Sequence, residues 1–105
     1  MTTRRISQLR NLGPACERDL NAVEIHTLAD IKRVGIERVF VRLMEGRIVR
    51  GERPICFNAC YLYALYGAVH DCDWRDVPET KKRAFKRLTA SLREKYSGFA
   101  RKPRG

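Results

Sequence analysis

The most constraining feature of this chain is the segment 58–69. Leu62, Leu65, Tyr66 and Val69 form an apolar stripe at helical spacing, and Cys60, Tyr61, Tyr63 and Ala64 extend it almost all the way round. A helix with no polar face cannot lie on a surface. It has to be surrounded, so the remaining segments must wrap it. The chain is 105 residues long, enough for one modest core and too short for two. The reading is one all-α domain of five or six short helices around this segment.

The flanking segments read as helices with recognisable ends. Ile6 and Leu9 mark a short amphipathic turn, interrupted at Asn11-Leu12-Gly13. Asn and Gly tolerate the left-handed conformation that a tight turn needs. Gly13 is read as requiring positive φ or a close backbone approach. Pro14 suits the first position of a helix in which Cys16, Leu20 and Val23 share a stripe. Thr27 is an N-cap, with Asp30 in capping-box position, for a brief helix ending at Gly35. The next helix turns Ile36, Val39, Phe40, Leu43 and Met44 inward and is expected to stop at Gly46, with a short extended piece at Ile48-Val49 and a loop through Gly51 and Pro54. Asn58 caps the central helix, although its start could lie at Pro54. Pro78 begins the last helix, where Phe85, Leu88, Leu92 and Tyr96 form the buried stripe and Gly98 the end. The domain is placed at 1–98, with 99–105 a mobile basic tail.

Charge is concentrated at one end. The chain holds 22 Lys and Arg against 12 Asp and Glu, a net +10, and from residue 79 onward there are ten basic residues and two acidic ones. A cationic end of this kind suits an anionic partner. No apolar run approaches the length of a membrane span, so no membrane partner is expected. Met1-Thr2-Thr3-Arg4-Arg5 is not followed by an apolar stretch, which argues against an export signal and for a cytoplasmic setting.

A reducing setting makes disulfides the weaker reading of Cys16, Cys56, Cys60 and Cys72. A zinc site from Cys56, Cys60, His70 and Cys72 is conceivable, but the spacing matches no common ligand pattern. The cysteines are read as small buried hydrophobes. His26 is read as a local hydrogen-bonding residue next to the Thr27 cap. A Cys72–His70 nucleophilic pair lacks a surrounding motif, and no phosphate-binding glycine loop or nucleophile elbow is present. The carboxylates of Glu17, Asp19, Glu24, Asp71, Asp73 and Asp76 are read as solvated charges. The chain is read as a non-enzyme with no cofactor and no metal.

The stretch from Leu9 to Leu20 looks like a helix-hairpin-helix unit. Asn11 stands at the first glycine position, Leu12 is the apolar plug and Gly13 is the second glycine. In that motif the hairpin amides and the following helix N-terminus face a DNA phosphate, without reading base sequence. Ala15 stands where a basic residue often follows the hairpin.

Several blocks then occur in one order: Leu9-x-Asn11-Leu12-Gly13-Pro14; Ile25-His26-Thr27-x-x-Asp30-Ile31 followed by Gly35; Arg42-Leu43; Leu62-Tyr63-Ala64-Leu65-Tyr66-Gly67-Ala68; and Trp74-Arg75-x-x-Pro78. This set, over roughly residues 6–92, resembles the C-terminal domain of the TfoX/Sxy family of competence regulators. Family members often carry an N-terminal α/β domain as well, so the resemblance implies a freestanding C-terminal module here. It implies a role in DNA transformation competence or in transcription linked to it. Full-length relatives are thought to act with the cyclic-AMP receptor protein at promoters.

Candidate DNA-phosphate contacts are therefore Arg4, Arg5, Arg10, Asn11 and Gly13 at the hairpin, and Lys81, Lys82, Arg83, Lys86 and Arg87 on the last helix. Binding would be non-specific or weakly specific, to DNA itself or to a transcription regulator already on it. Corner and closing helix are expected to face one anionic surface. The alternative is a SAM-like protein–protein adaptor with no direct DNA contact. Tyr61, Tyr63 and Tyr66 span most of one helix, so at least one is expected at the surface as a partner contact. Trp74 is read as a core cap at a turn. Gly67 is expected under a helix crossing, because a mid-helix glycine costs about 1 kcal/mol and needs a packing reason.

Overall fold

The computed structural model describes residues 6–9, 11–52 and 57–98. They form five α-helices: α1 (Pro14–Asn21), α2 (Leu28–Val34), α3 (Ile36–Val49), α4 (Ala59–His70) and α5 (Glu79–Lys95). Short 3-10 turns at Ile6–Gln8 and Trp74–Asp76 precede α1 and α5. There is no strand among the described residues. The protein is all-α, as its periodicity requires.

α4 is the hub. It packs against α2, α3, α5 and the second 3-10 turn. Its Leu62 and Leu65 are wholly buried beside Val39, Phe40, Leu43 and Met44 of α3 and Phe85 of α5. The apolar circumference predicted the central position, and burying it from several sides adds to the hydrophobic driving force for the fold.

The local signals are realised where side-chain chemistry sets them. Thr27 Oγ1 accepts from Asp30 N at 3.2 Å, and Asp30 Oδ2 accepts from His26 N at 2.9 Å, which holds the Asp30 carboxyl below its usual range. The His26 ring lies 3.1 Å from Asn21 Oδ1, the local bond expected of it. Gly35, at φ 98°, alone joins α2 to α3. Asn58 accepts from Cys60 N at 2.8 Å and caps α4.

Three expectations about helix ends require correction. α3 does not stop at Gly46 but continues to Val49, so Ile48-Val49 is helical rather than extended. Its end is a Schellman turn: Gly51 takes φ 79°, Gly51 N donates to Ile48 O and Glu52 N to Arg47 O. Gly46 has a packing reason instead, because a Cβ there would lie 2.8 Å from Val23 Cγ1. Gly98 does not end α5, which stops at Lys95 with Tyr96 as its cap.

The tyrosines also behave differently from expectation. None of Tyr61, Tyr63 and Tyr66 is exposed. Tyr63 and Tyr66 pack on Phe85, at centroid separations of 6.1 and 6.4 Å. Tyr61 points toward Cys16 and Asp19 of α1, and burial pushes its phenol far above the usual range. Arg47 lies over the Tyr61 ring and pairs with Asp19 at 2.8 Å, tying α3 to α1. Among the described Phe, Tyr and Trp residues the exposed one is Trp74, at 47% exposure, so it is not a core cap. The three described cysteines are not buried hydrophobes either: Cys60 is exposed, and Cys16 and Cys72 are half-buried. Nor are all the carboxylates merely solvated, because Glu17 accepts from Ser7 N at 2.8 Å, Asp19 holds Arg47, and Asp73 accepts from Arg75 N.

Candidate nucleic-acid interface

The hairpin forms as a corner between the first 3-10 turn and α1. Leu12 N donates to Leu9 O, Asn11 adopts φ 69° and Leu12 is buried at 7% exposure, as a plug should be. Gly13 is extended (φ −134°, ψ −171°), and a Cβ on it would meet nothing within 4 Å. The left-handed residue is therefore Asn11, and Gly13 needs neither positive φ nor a close approach. Pro14 occupies the first helical position, so the α1 amides without an intrahelical acceptor are those of Ala15 and Cys16. Ala15 is at the surface.

The Asn11 side chain turns inward. Its Nδ2 donates to Cys72 O at 3.2 Å, across 61 residues of chain. Beneath this contact lies Gly67, where a Cβ would collide with the Asn11 amide and stand 2.5 Å from Cys72 O. The packing reason anticipated for Gly67 is real, but the neighbours are the hairpin corner and the α4 C-terminal turn rather than a crossing helix.

The basic residues of the last helix divide into two places. Arg83, Lys86 and Arg87 are exposed on the outer face of α5. Lys82 is partly covered and lies 3.8 Å from Glu79. Lys81 sits elsewhere, in a groove with Arg38 and His70. Arg4, Arg5, Arg10 and Cys56, together with the tail from residue 99, lie outside the described residues.

Corner and closing helix flank different sides of α4. Asn11 shares a groove with Cys60, Ala64 and Trp74 and rests on Gly67, whereas Phe85 meets Tyr63 and Tyr66. At 3.6 residues per turn these two faces are about a quarter turn apart. Among the described residues no group of three or more His, Cys, Asp and Glu side chains converges as a metal site would. No helix among them is long and apolar enough to cross a membrane.

Sequence reasoning missed the exposure of Trp74, the ion pair between Arg47 and Asp19, and the gathering of Arg38, His70 and Lys81. The last three come from three helices, and no local pattern connects them.

Comparison with known proteins agrees with the order of motifs. A family model described as the TfoX C-terminal domain matches residues 2–89. No curated protein matches the chain. A crystal structure of an uncharacterized protein from Listeria monocytogenes, in a triclinic form, is 31% identical, with a TM-score of 0.72, over 94% of this chain and 100% of that one. Fold, hairpin and motif order thus converge with these matches: the chain belongs to the TfoX C-terminal domain family.

Proposed function

We propose that this protein is a regulatory, non-enzymatic module acting in DNA transformation competence and the transcription linked to it, through contact with DNA phosphates or with a regulator already on DNA. Family membership supports the regulatory part. The observation that carries the DNA part is the outer face of α5, where Arg83, Lys86 and Arg87 stand exposed with no ion-pair partner among the described residues. Cations left unpaired in this way neutralise phosphates at little desolvation cost and release counterions on binding. The α1 amides at the hairpin corner add a second, uncharged phosphate contact of the kind helix N-termini provide. Neither element reads base edges, so the binding is weakly specific.

The test is a duplex titration at several salt concentrations. Affinity is expected to fall steeply with salt. The triple variant Arg83→Gln, Lys86→Gln, Arg87→Gln is expected to flatten the logarithmic salt slope by about 2–3, since each phosphate contact contributes roughly 0.9. Undetectable binding at low salt, or an unchanged slope in the triple variant, overturns the DNA reading.

A second reading, a protein-interaction adaptor, is favoured by one observation. Trp74 is exposed and lines a largely apolar groove of about 370 Å³ with Asn11, Cys60 and Ala64. Exposed aromatics beside apolar surface are common anchors of protein contacts. Loss of partner capture in Trp74→Ala, with duplex binding intact, would favour it.

A further inference from the structure

A second groove lies between the first turns of α3 and α5 and the last turn of α4. Its volume of about 410 Å³ falls in the range of small-molecule sites. Two cations face it from different helices, Arg38 of α3 and Lys81 of α5. Both are exposed, and neither has an acidic partner among the described residues, whereas Arg33, Arg47, Arg50, Arg75 and Lys82 are paired. One carboxylate, Glu37, shares the groove, so positive charge prevails there.

The other wall is aromatic. Phe85 and Tyr66 meet edge to face, and the His70 ring follows at 4.1 Å from the Tyr66 ring. His70 is exposed, which leaves its ring accessible in the groove. The first residues of α3 also line this space, and their amides have no intrahelical acceptor, since the first bond of that helix runs from Val39 N to Gly35 O. Unpaired cations beside an aromatic wall match a ligand that carries a phosphate and a planar ring together. Either half alone would satisfy only part of the lining.

We infer that this groove binds a mononucleotide, with its phosphate between Arg38 and Lys81 and its base against His70. The inference does not rest on the DNA reading, because Arg83, Lys86 and Arg87 play no part in it.

Amide NMR titrations of the full chain with AMP, adenosine and inorganic phosphate test it. AMP is expected to shift the Gly35–Arg38 and His70 signals, with a Kd on the order of 0.1–1 mM. Adenosine and phosphate are each expected to bind at least about tenfold more weakly, since each leaves half the lining unused. Arg38→Gln and Lys81→Gln should each weaken AMP roughly three- to tenfold, the scale of one net hydrogen bond at an exposed site, without changing Tm. The triple variant Arg83→Gln, Lys86→Gln, Arg87→Gln should bind AMP as the parent does. No shifts at these residues, phosphate binding as tight as AMP, or equal weakening in the triple variant would overturn the proposal.

Discussion

Two faces of α4, about a quarter turn apart, do opposite things with side-chain size. Along Cys60, Ala64 and Gly67 the helix is small, and the Asn11 corner and the turn at Cys72 close directly onto its backbone. Along Tyr63, Tyr66 and His70 it is aromatic, and α5 is held off at ring-contact distance through Phe85. The first face yields a tight polar junction beside an apolar groove with an exposed Trp74. The second yields a well-packed core edge that opens into a groove with unpaired cations. The residues of one helix thus determine how closely each neighbour approaches and what kind of surface is left beside it.

Perturbing each face should break a different kind of contact. The largest effect is expected at Phe85→Ala, which removes a fully buried ring from the aromatic face and should cost about 3–5 kcal/mol by denaturant unfolding. On the small face, Gly67→Ala forces a methyl into the Asn11 amide and the Cys72 carbonyl, at about 1–3 kcal/mol. Combining it with Asn11→Gly should be less than additive, because only the Cys72 carbonyl then still clashes. Additive costs would mean that corner and glycine are not in contact.

Asn11→Ala is expected to cost about 1–2 kcal/mol, since it loses both the bond to Cys72 and the tolerance of φ 69°, and Asn11→Gly should cost less because it keeps the backbone freedom. The smallest effect is expected at Gly13→Ser. An extended N-cap with open space around its Cβ should gain a few tenths of a kcal/mol, read as a slight rise in Tm.

This last expectation reverses the sequence reading of the hairpin, and the reason is physical. In Asn-Leu-Gly either Asn or Gly can take the left-handed position, and only one does. Asn11 takes it because its side chain also finds an acceptor, Cys72 O, that lies far away in sequence. Gly46 and Gly51 show the same ambiguity about the end of one helix. Both could have been the stop. Gly46 is retained in α3 because Val23 packs against it, and Gly51 supplies the Schellman turn. Caps such as Thr27 and Asn58 were legible because donor and acceptor lie within three residues of each other. Trp74 was misread because an aromatic at a turn looks alike whether a neighbour covers it or not.

The candidate interface was legible only in part. Arg83, Lys86 and Arg87 fall on the outer side of a helix whose buried stripe is plain in the sequence, so their exposure follows from 3.6-residue periodicity. Lys81 belongs to the same cationic cluster in sequence but lies about in line with Phe85 along the helix, and it turns into the groove beside Arg38.

By itself the sequence determined that the chain is helical, that residues 58–69 lie at its centre, where several helices begin, and which motifs mark its family. The helices and the central segment follow from spacing within a few turns of chain, and the family from the resemblance of motifs in one order along it. Only the tertiary structure decided which glycines are crowded, which aromatic is left uncovered, and which cations share a groove. Those outcomes depend on what arrives from another helix, and the side chains concerned lie dozens of residues apart until burial of the central helix draws their backbones together.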